Sequence, residues 1–292
     1  MSRYKVSVCI PAYRQPDSLR RALRSVFVQK FSDFEIIVTD DSPDTSVEAV
    51  ISEFRGRSNM RYFRNAARLG TPENWNRAVR EANGEFIKVL HHDDWLADEN
   101  SLGDFVELLE RDTCTDFAFC AAQAFDGQGR LLFVHRPSKA QLRRLRTNPG
   151  ILFFGNFIGA PSATIYRSSV KQQYDQKLKW VVDIDFYTRV LRDNPHFQFS
   201  SRPLVCITSD APQQVTKECA GNRMMEVYEW LYLYRKLSAS SKFSLARLMH
   251  LRSIFKAHGI KSRRDLANCG VDFPIPVQVD LLLAWQRVFE SS

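Results

Sequence analysis

Long apolar runs are missing from this 292-residue chain. None approaches the ~18 to 20 consecutive apolar residues that a spanning helix needs, so no such helix is expected. The start, MSRYKVSVCI, carries Arg3 and Lys5 but reaches Pro11 after one short strand-like run. A secretory signal needs a longer apolar stretch, and the expected location is the cytoplasm. Cysteine is sparse and unpatterned. Its six members include no Cys-x-x-Cys pair, which argues against a zinc site and a disulfide framework. Cys9, Cys120, Cys206 and Cys219 sit among apolar or small neighbours and read as reduced filler. Internal repeats and low-complexity segments are also absent. What remains is an ordinary globular composition, 44% hydrophobic and 25% charged, too apolar for disorder and too charged for a membrane-embedded chain.

Acid is missing in two places. From Gly127 to Tyr174 there is no Asp or Glu against eight Lys and Arg, and from Trp230 to Arg264 none against nine. The whole chain is only +8 at pH 7, so an acidic body carries two basic surfaces. Such surfaces attract phosphates, nucleic acid or an anionic membrane face. Solvated helix faces are the plain alternative, although each stretch lacks any acid to balance it. No aromatic-interleaved basic groove or nucleic-acid motif is present, and no nucleic acid is expected as a partner.

The first half alternates buried strands with helices. Strand patterns cover Val6–Ile10, Phe34–Thr39, Met60–Arg64, Glu85–Leu90 and Phe117–Phe125. Helical patterns cover Asp17–Gln29, Ser46–Phe54, Thr71–Ala82 and Asn100–Arg111. Thr71-Pro72-Glu73 reads as a hydroxyl cap, a proline at the first helical position and an acid. This alternation implies a mostly parallel sheet flanked by helices, with ligands bound at the strands' carboxyl ends. The positions of interest are those just after Ile10, Thr39 and Leu90. Beyond, Ser162–Tyr166 reads as a strand, Asp183–Arg192 as a helix and Phe197–Ile207 as extended. From Arg223 the pattern is helical almost to the end, with Arg247–Phe255 amphipathic.

Two acidic turns follow strands. Asp40-Asp41-Ser42-Pro43-Asp44 follows the second, and His91-His92-Asp93-Asp94 the fourth. Clustered carboxylates need a cation or strong hydrogen bonds, and Mg²⁺ or Mn²⁺ binds through one or two carboxylates plus substrate phosphates. Asp44 and Ser42 suit a turn that caps backbone amides. Asp93 and Asp94 suit a site. His91 and His92 are adjacent on an extended chain and point to opposite faces, so they do not easily share one metal.

The runs VSVCIPAYRQPDSLRRALRSVFVQ, FEIIVTDDSPDTS and RNAARLGTPENWNRAVREANGEFIKVLHHDDWL resemble the inverting family 2 glycosyltransferases of GT-A fold. The resemblance spans about residues 5–210. It implies an α/β, Rossmann-like GT-A domain over 1–210, with a nucleotide-sugar half (1–125) and an acceptor half (126–210), and a basic helical extension over 211–292. It further implies that Pro11, Ala12 and Tyr13 line the nucleotide site. Asp41, with Asp40, reads the base or ribose, and Asn76 and Arg77 lie on the helix covering the nucleotide. His92, Asp93 and Asp94 fill the place of the DxD motif, with Asp93 and Asp94 on a divalent metal, Mn²⁺ or Mg²⁺. His91 replaces a frequent Asp. Pro161, Ser162 and Asp185 match acceptor-side positions. Asp183 matches the catalytic base, and Val182 replaces the Glu before it. Asp210 stands near the place of a diphosphate-facing His. The burial suggested by Val181, Val182, Ile184 and Phe186 would raise the Asp183 pKa, whereas a helix N-cap is the plain alternative for this residue.

The implied reaction moves a sugar from a nucleotide-diphospho-sugar, with UDP ahead of dTDP or GDP, to a hydroxyl of a glycan or lipid-linked acceptor in cell-surface polysaccharide synthesis. An anionic membrane surface is a second expected partner, which would make the protein peripheral on the inner face. For Arg247–Phe255, packing on the catalytic domain is set against lying on the bilayer. Two other functions compete. A sugar nucleotidyltransferase would carry a Gly-rich, Arg-containing loop where Pro11-Ala12-Tyr13 stands. A degenerate, non-catalytic nucleotide-sugar-binding protein would fit the departures at His91 and Val182.

Overall fold

The computed structural model describes residues 3–209, 219, 221–240 and 244–289. Its centre is a nine-stranded sheet in the order β3 (Met60–Arg64), β2 (Phe34–Asp40), β1 (Tyr4–Ala12), β4 (Gly84–Val89), β8 (Thr164–Arg167), β6 (Phe117–Phe125), β9 (Phe197–Thr208), β5 (Trp95–Leu96), with β7 (Leu131–His135) added on β6. The amino-terminal half holds β1 (Tyr4–Ala12), β2 (Phe34–Asp40), β3 (Met60–Arg64) and β4 (Gly84–Val89), all parallel. Helices α1 (Pro16–Phe27), α2 (Ser46–Glu53) and α3 (Glu73–Arg80) connect them. β1 is buried on both faces, as a strand between two helical layers must be. Val6, Val8 and Ile10 pack on one side with Leu19, Leu23 and Val26 of α1. Cys9 packs on the other with Ala78 of α3. Gly84 is needed where β4 meets β1, because a Cβ there would lie 2.5 Å from the Ser7 nitrogen.

Beyond β4 the sheet becomes mixed. β5 (Trp95–Leu96) and α4 (Ser101–Glu110) lead into β6 (Phe117–Phe125) and β7 (Leu131–His135). β8 (Thr164–Arg167) then inserts antiparallel between β4 and β6, and β9 (Phe197–Thr208) runs parallel to β6 and antiparallel to β5. The long returns that place β8 between earlier strands leave no local periodicity in the sequence. Two 3₁₀ turns, Pro149–Phe154 and Pro161–Ala163, flank α5 (Lys139–Thr147) and β8.

One local expectation is corrected. Thr71 does not cap α3. The helix opens at Glu73, and its first amides, on Asn74, Trp75 and Asn76, donate to the carbonyls of Gly70 and Pro72. The loop backbone thus satisfies the groups that a hydroxyl cap would have served.

The carboxyl-terminal helices are α7 (Arg223–Ser240), α8 (Leu245–Ala257), α9 (Arg263–Asn268) and α10 (Val277–Phe289). They build no separate core. Val227, Leu231 and Tyr234 of α7 join the cluster that holds Phe153, Phe186 and Tyr187, together with α6 (Val182–Asp193). Glu229 of α7 accepts hydrogen bonds from the amides of Lys179 (2.9 Å), Trp180 (2.8 Å) and Val181 (3.0 Å). The Arg247–Phe255 segment packs on the body, with Leu248, Leu251 and Phe255 buried in the same cluster. The second basic stretch finds acids in space that it lacks in sequence, since Lys236 pairs with Asp175 (2.7 Å) and Asp185 (2.6 Å), and Arg263 with Asp280 (2.5 Å). Asp210 lies outside the described residues, as does the expected domain boundary there.

Candidate active site

The strand register decides where the site lies. Pro11 is level with Thr39, Ala12 with Asp40 and Cys9 with Val89. The three carboxyl ends therefore open together onto one cleft of about 1010 Å³. Pro11, Ala12, Tyr13, Asp41, His92, Asp93, Asp94, Pro161 and Asp183 all line it. Residues from five separate segments of the sequence reading meet there.

The floor at β1 is made by backbone as much as by side chains. Arg14 and Gln15 adopt left-handed φ of 56° and 54°, a conformation uncommon outside glycine. They turn the chain from β1 into α1. The Arg68 guanidinium lies 4.3 Å from the Tyr13 ring centre. Asp41 is held from behind by loop 65–70: its carboxylate accepts from the amides of Leu69 (3.0 Å) and Gly70 (2.7 Å) and from Asn65 Nδ2.

Asp40 does not reach the cleft. It is fully buried, accepting from the Ser42 amide (2.7 Å) and the Tyr62 hydroxyl (2.8 Å). Adjacent strand residues face opposite ways, so Asp40 and Asp41 cannot both serve. Asp44 accepts from the Ser46 amide (3.0 Å) and hydroxyl (2.5 Å), as a turn cap does.

Helix α3 presents Asn74 and Trp75 to the cleft. Asn76 and Arg77 lie off it. Asn76 is buried and exchanges two hydrogen bonds of 2.9 Å with the backbone of Tyr174. Arg77 bonds Asn65 Oδ1 and lies 5.8 Å from the Phe63 ring centre. A turn of about 100° per residue separates these pairs, and the helix start sets the phase.

The turn after β4 collects the acids. Ligand atoms of His91, Asp93 and Asp94 all lie within 4.8 Å of one another. Two distant elements hold this turn. Arg21 of α1 donates to the Asp93 carbonyl and to Thr208 Oγ1, both at 3.0 Å, and Thr208 at the end of β9 donates to the same carbonyl at 2.7 Å. Burial, with the Asp93 charge beside it, pushes the Asp94 carboxyl well above its usual range. Burial likewise lowers His91 to about 4, which leaves the imidazole neutral at pH 7. His91 Nε2 is buried with no hydrogen-bond partner among the described residues. Two carboxylates and a neutral imidazole with a free nitrogen fit a divalent cation. His91 thus joins Asp93 and Asp94 as a candidate ligand, while His92 Nδ1 donates to the Pro11 carbonyl at 3.2 Å.

On the acceptor side Pro161 lines the cleft and Ser162 does not. Ser162 is fully buried and ties two segments together: its hydroxyl accepts from the His91 amide at 3.0 Å, and its carbonyl accepts from Lys88. Lys88, also fully buried, donates to the Val89 carbonyl at 3.2 Å, and burial lowers its pKa to about 8. Asp185 is buried between Arg189 (2.7 Å) and Lys236 (2.6 Å), where it braces α6 against α7.

Asp183 opens the first turn of α6. The N-cap position belongs to Val181, so Asp183 does not cap in that sense. Its Oδ1 accepts from the Ile184 amide (2.8 Å) and its Oδ2 from Asn156 Nδ2 (2.7 Å). Burial outweighs these bonds and pushes the carboxyl up to about 7. Asn156 is itself fixed, because its Oδ1 accepts from the amides of Ile158 (3.1 Å) and Gly159 (3.0 Å). Sequence reasoning missed Trp75, Arg68, Lys179 and Trp180 in the lining, and Asn156 behind the base. A polar Glu229 inside the apolar run Val227–Leu231 was the one local hint of the packing behind them.

The sequence profile described as "Glycosyl transferase family 2" matches residues 7–174. An uncharacterized glycosyltransferase of Methanocaldococcus jannaschii is 26% identical over 202 residues, 68% of each chain. The GalNAc(5)-diNAcBac-PP-undecaprenol beta-1,3-glucosyltransferase of Campylobacter jejuni is 33% identical over 94 residues, 32% of this chain and 30% of its own. Among curated relatives the matched share of length thus falls well below the whole protein in several cases. The fold matches S. aureus TarS 1-349 in complex with UDP-GlcNAc (TM-score 0.67, 19% identity, 97% of this chain and 87% of that one). It also matches the mannosyltransferase PcManGT from Pyrobaculum calidifontis in complex with GDP-Man and Mn²⁺ (TM-score 0.61, 16% identity, 98% and 80%). At these identities the structural matches speak for the GT-A fold alone.

Proposed function

The chain belongs to glycosyl transferase family 2, and from that premise we propose that it moves a sugar from a nucleotide-diphospho-sugar to a hydroxyl of a glycan or lipid-linked acceptor, with inversion and with Asp183 as the base. The observation that carries this reading is the Asp183 carboxyl itself. It is raised to about 7, oriented by two hydrogen bonds, and lines the same cleft as the His91–Asp94 turn. A base tuned near the working pH is what general-base catalysis needs.

The donor lies along the carboxyl ends of β1, β2 and β4. Pro11, Ala12, Tyr13 and Asp41 receive the nucleotide. UDP is the first choice for the nucleotide, ahead of dTDP or GDP. His92 lines the same end of the cleft, with Nδ1 committed to the Pro11 carbonyl. His91, Asp93 and Asp94 would hold a divalent ion, Mn²⁺ or Mg²⁺, and such an ion supplies positive charge for a leaving diphosphate. The acceptor enters beside Pro161 and Asp183. Its hydroxyl oxygen attacks the anomeric carbon as the Asp183 carboxylate takes the proton. The bond from that carbon to the diphosphate oxygen breaks, and the electron pair leaves with the nucleoside diphosphate. Lys179 and Trp180, held through Glu229, wall this end of the cleft.

The undecaprenol-linked substrate in the C. jejuni relative's name supports a lipid-linked acceptor and a role in surface polysaccharide synthesis. No helix of the described residues is long and apolar enough to cross a membrane, and we place the protein peripherally on the cytoplasmic face. The family match favours this reading over a nucleotidyltransferase or a non-catalytic binder. Replacing Asp183 by Asn tests it. Thermal shifts with UDP and Mn²⁺ should persist while transfer falls by about 10²- to 10⁴-fold. Transfer at near the parental rate would remove Asp183 from the role.

A further inference from the structure

In the first acid-free stretch Arg130 pairs with Asp126 and Arg167 with Glu85, and Arg146 lies 4.5 Å from the Phe197 ring centre, but the cations between Arg130 and Arg167 find no acid. Arg136, Lys139, Arg143, Arg144 and Arg146 are all exposed, and none makes an ion pair with a described residue. Lys139, Arg143 and Arg146 fall at i, i+4 and i+7 of α5, one stripe of the helix, while Leu145 anchors the opposite side in the core. Strand β7, just before α5, is apolar where it should be polar. Leu131, Leu132 and Phe133 are 51%, 44% and 50% exposed on a strand that pairs with β6 alone among the described strands. Three consecutive exposed apolar residues on a sheet edge are a liability unless something covers them.

We propose that the β7–α5 face docks on an anionic lipid bilayer, with Leu131, Leu132 and Phe133 entering the interface and the α5 cations meeting the headgroups. The pairing of apolar tip and unbalanced cations selects this occupant. A soluble polyanion would use the cations and leave the apolar tip in water. A second copy of the chain would bring Arg136 and the α5 cations against like charge. Position adds a reason. His135, the last residue of β7, packs on Gly159, so closely that a Cβ there would lie 3.3 Å from its ring. Ala160 and Pro161 follow and line the cleft. The docked face thus borders the acceptor end. The link to a lipid-linked acceptor rests on the transferase reading, while docking itself does not.

The test is sedimentation of the full chain with phosphatidylglycerol/phosphatidylcholine vesicles and with phosphatidylcholine alone, beside heparin binding and the oligomeric state in solution. We expect binding to the anionic vesicles only. Each basic residue near such a surface contributes about a factor of 5, so Lys139→Gln with Arg143→Gln should weaken binding about 30-fold. Phe133→Ser should weaken it about tenfold. Both variants should keep the parental thermal shift with UDP and Mn²⁺. Equal binding by parent and variants would overturn the proposal. So would heparin binding without vesicle binding, or a dimer that Phe133→Ser dissolves. Vesicle binding without any sugar transfer would leave docking standing and remove the transferase reading. Transfer to a short-chain acceptor without vesicle binding would do the reverse.

Discussion

Replacing Asn156 by alanine removes one hydrogen bond from the proposed base and leaves the carboxyl in place. Asn156 Nδ2 donates to Asp183 Oδ2 at 2.7 Å, and a donor aimed at a carboxylate favours its ionised form. Burial has already driven this group up to about 7, with the Ile184 amide and Asn156 among the bonds that oppose the rise. A hydrogen bond to a charged group contributes about 1.5–3 kcal/mol, which is about one to two pKa units. The carboxyl faces an open cleft, where water replaces part of the lost bond, so the lower end applies. The readout is kcat/KM against pH, which reports the free enzyme's essential groups. For a base that must be ionised, kcat/KM rises about tenfold per pH unit below the pKa and then levels. The parent should level near pH 7 and Asn156→Ala about one unit higher. Asn156 Oδ1 also holds the Ile158 and Gly159 amides, so Asn156→Asp is the companion. It keeps that acceptor, removes the donor and adds a like charge, and its break should lie higher still. A break that stays near pH 7 in both variants, or moves down, refutes the assignment of the titrating base to Asp183.

Other outcomes follow from the same contacts. A carboxyl raised on folding favours the folded state below the ordinary Asp pKa, and that contribution is lost as pH rises through about 7. The melting temperature of Asp183→Asn minus that of the parent should therefore grow from pH 4 to pH 8; a gap constant with pH would contradict the raised value. Asp93→Ala should abolish the Mn²⁺-dependent part of the thermal shift with UDP, and an undiminished Mn²⁺ effect would take Asp93 out of the ligand set. Glu229→Ala leaves three amides of the Lys179–Val181 turn without their acceptor. Only the Val181 amide is fully buried, the other two lying beside the cleft, so at about 1–3 kcal/mol for a buried unmet group denaturant unfolding should show a loss of about 1–3 kcal/mol, with Glu229→Gln recovering part of it. An unchanged midpoint would mean that this turn does not depend on α7.

The amino-terminal half of the sheet was legible because β1, β2 and β4 are buried on both faces and read as near-continuous apolar runs. The register of β1, β2 and β4 follows from three such runs ending in step, which is why Tyr13, Asp41 and Asp93 were found at one cleft. Failures came where a one-residue phase decides. Asp40 and Asp41 differ only by strand alternation. Asn76 and Arg77 differ from Asn74 and Trp75 only by rotation about α3. A hydroxyl-Pro-acid string fixes that rotation wrongly when backbone carbonyls supply the cap. Contacts between distant segments were out of reach: nothing near Asn156 in sequence announces Asp183, and the antiparallel entry of β8 has no local mark.

The two departures from the family's pattern bear on one electrostatic problem. A donor of the proposed kind brings a diphosphate, which is an anion, into a cleft whose turn after β4 already concentrates acidic groups. Asp94 is pushed up by burial and by Asp93. A third carboxylate at position 91 would raise the cost again, whereas the neutral His91 ring offers a ligand atom with no charge. Val182 acts in the same direction at the other end. A Glu there would set a second anion beside Asp183, which Glu229 already pushes upward. Restoring both acids separates these effects. His91→Asp should tighten Mn²⁺ binding and weaken the thermal shift given by UDP without metal, because added negative charge attracts the ion and repels the diphosphate. Val182→Glu should leave both shifts unchanged and move the break in kcat/KM above pH 7. If His91→Asp instead strengthened metal-free UDP binding, or Val182→Glu left the break in place, charge would not be what these positions tune, and the fit of side-chain shape would have to explain them.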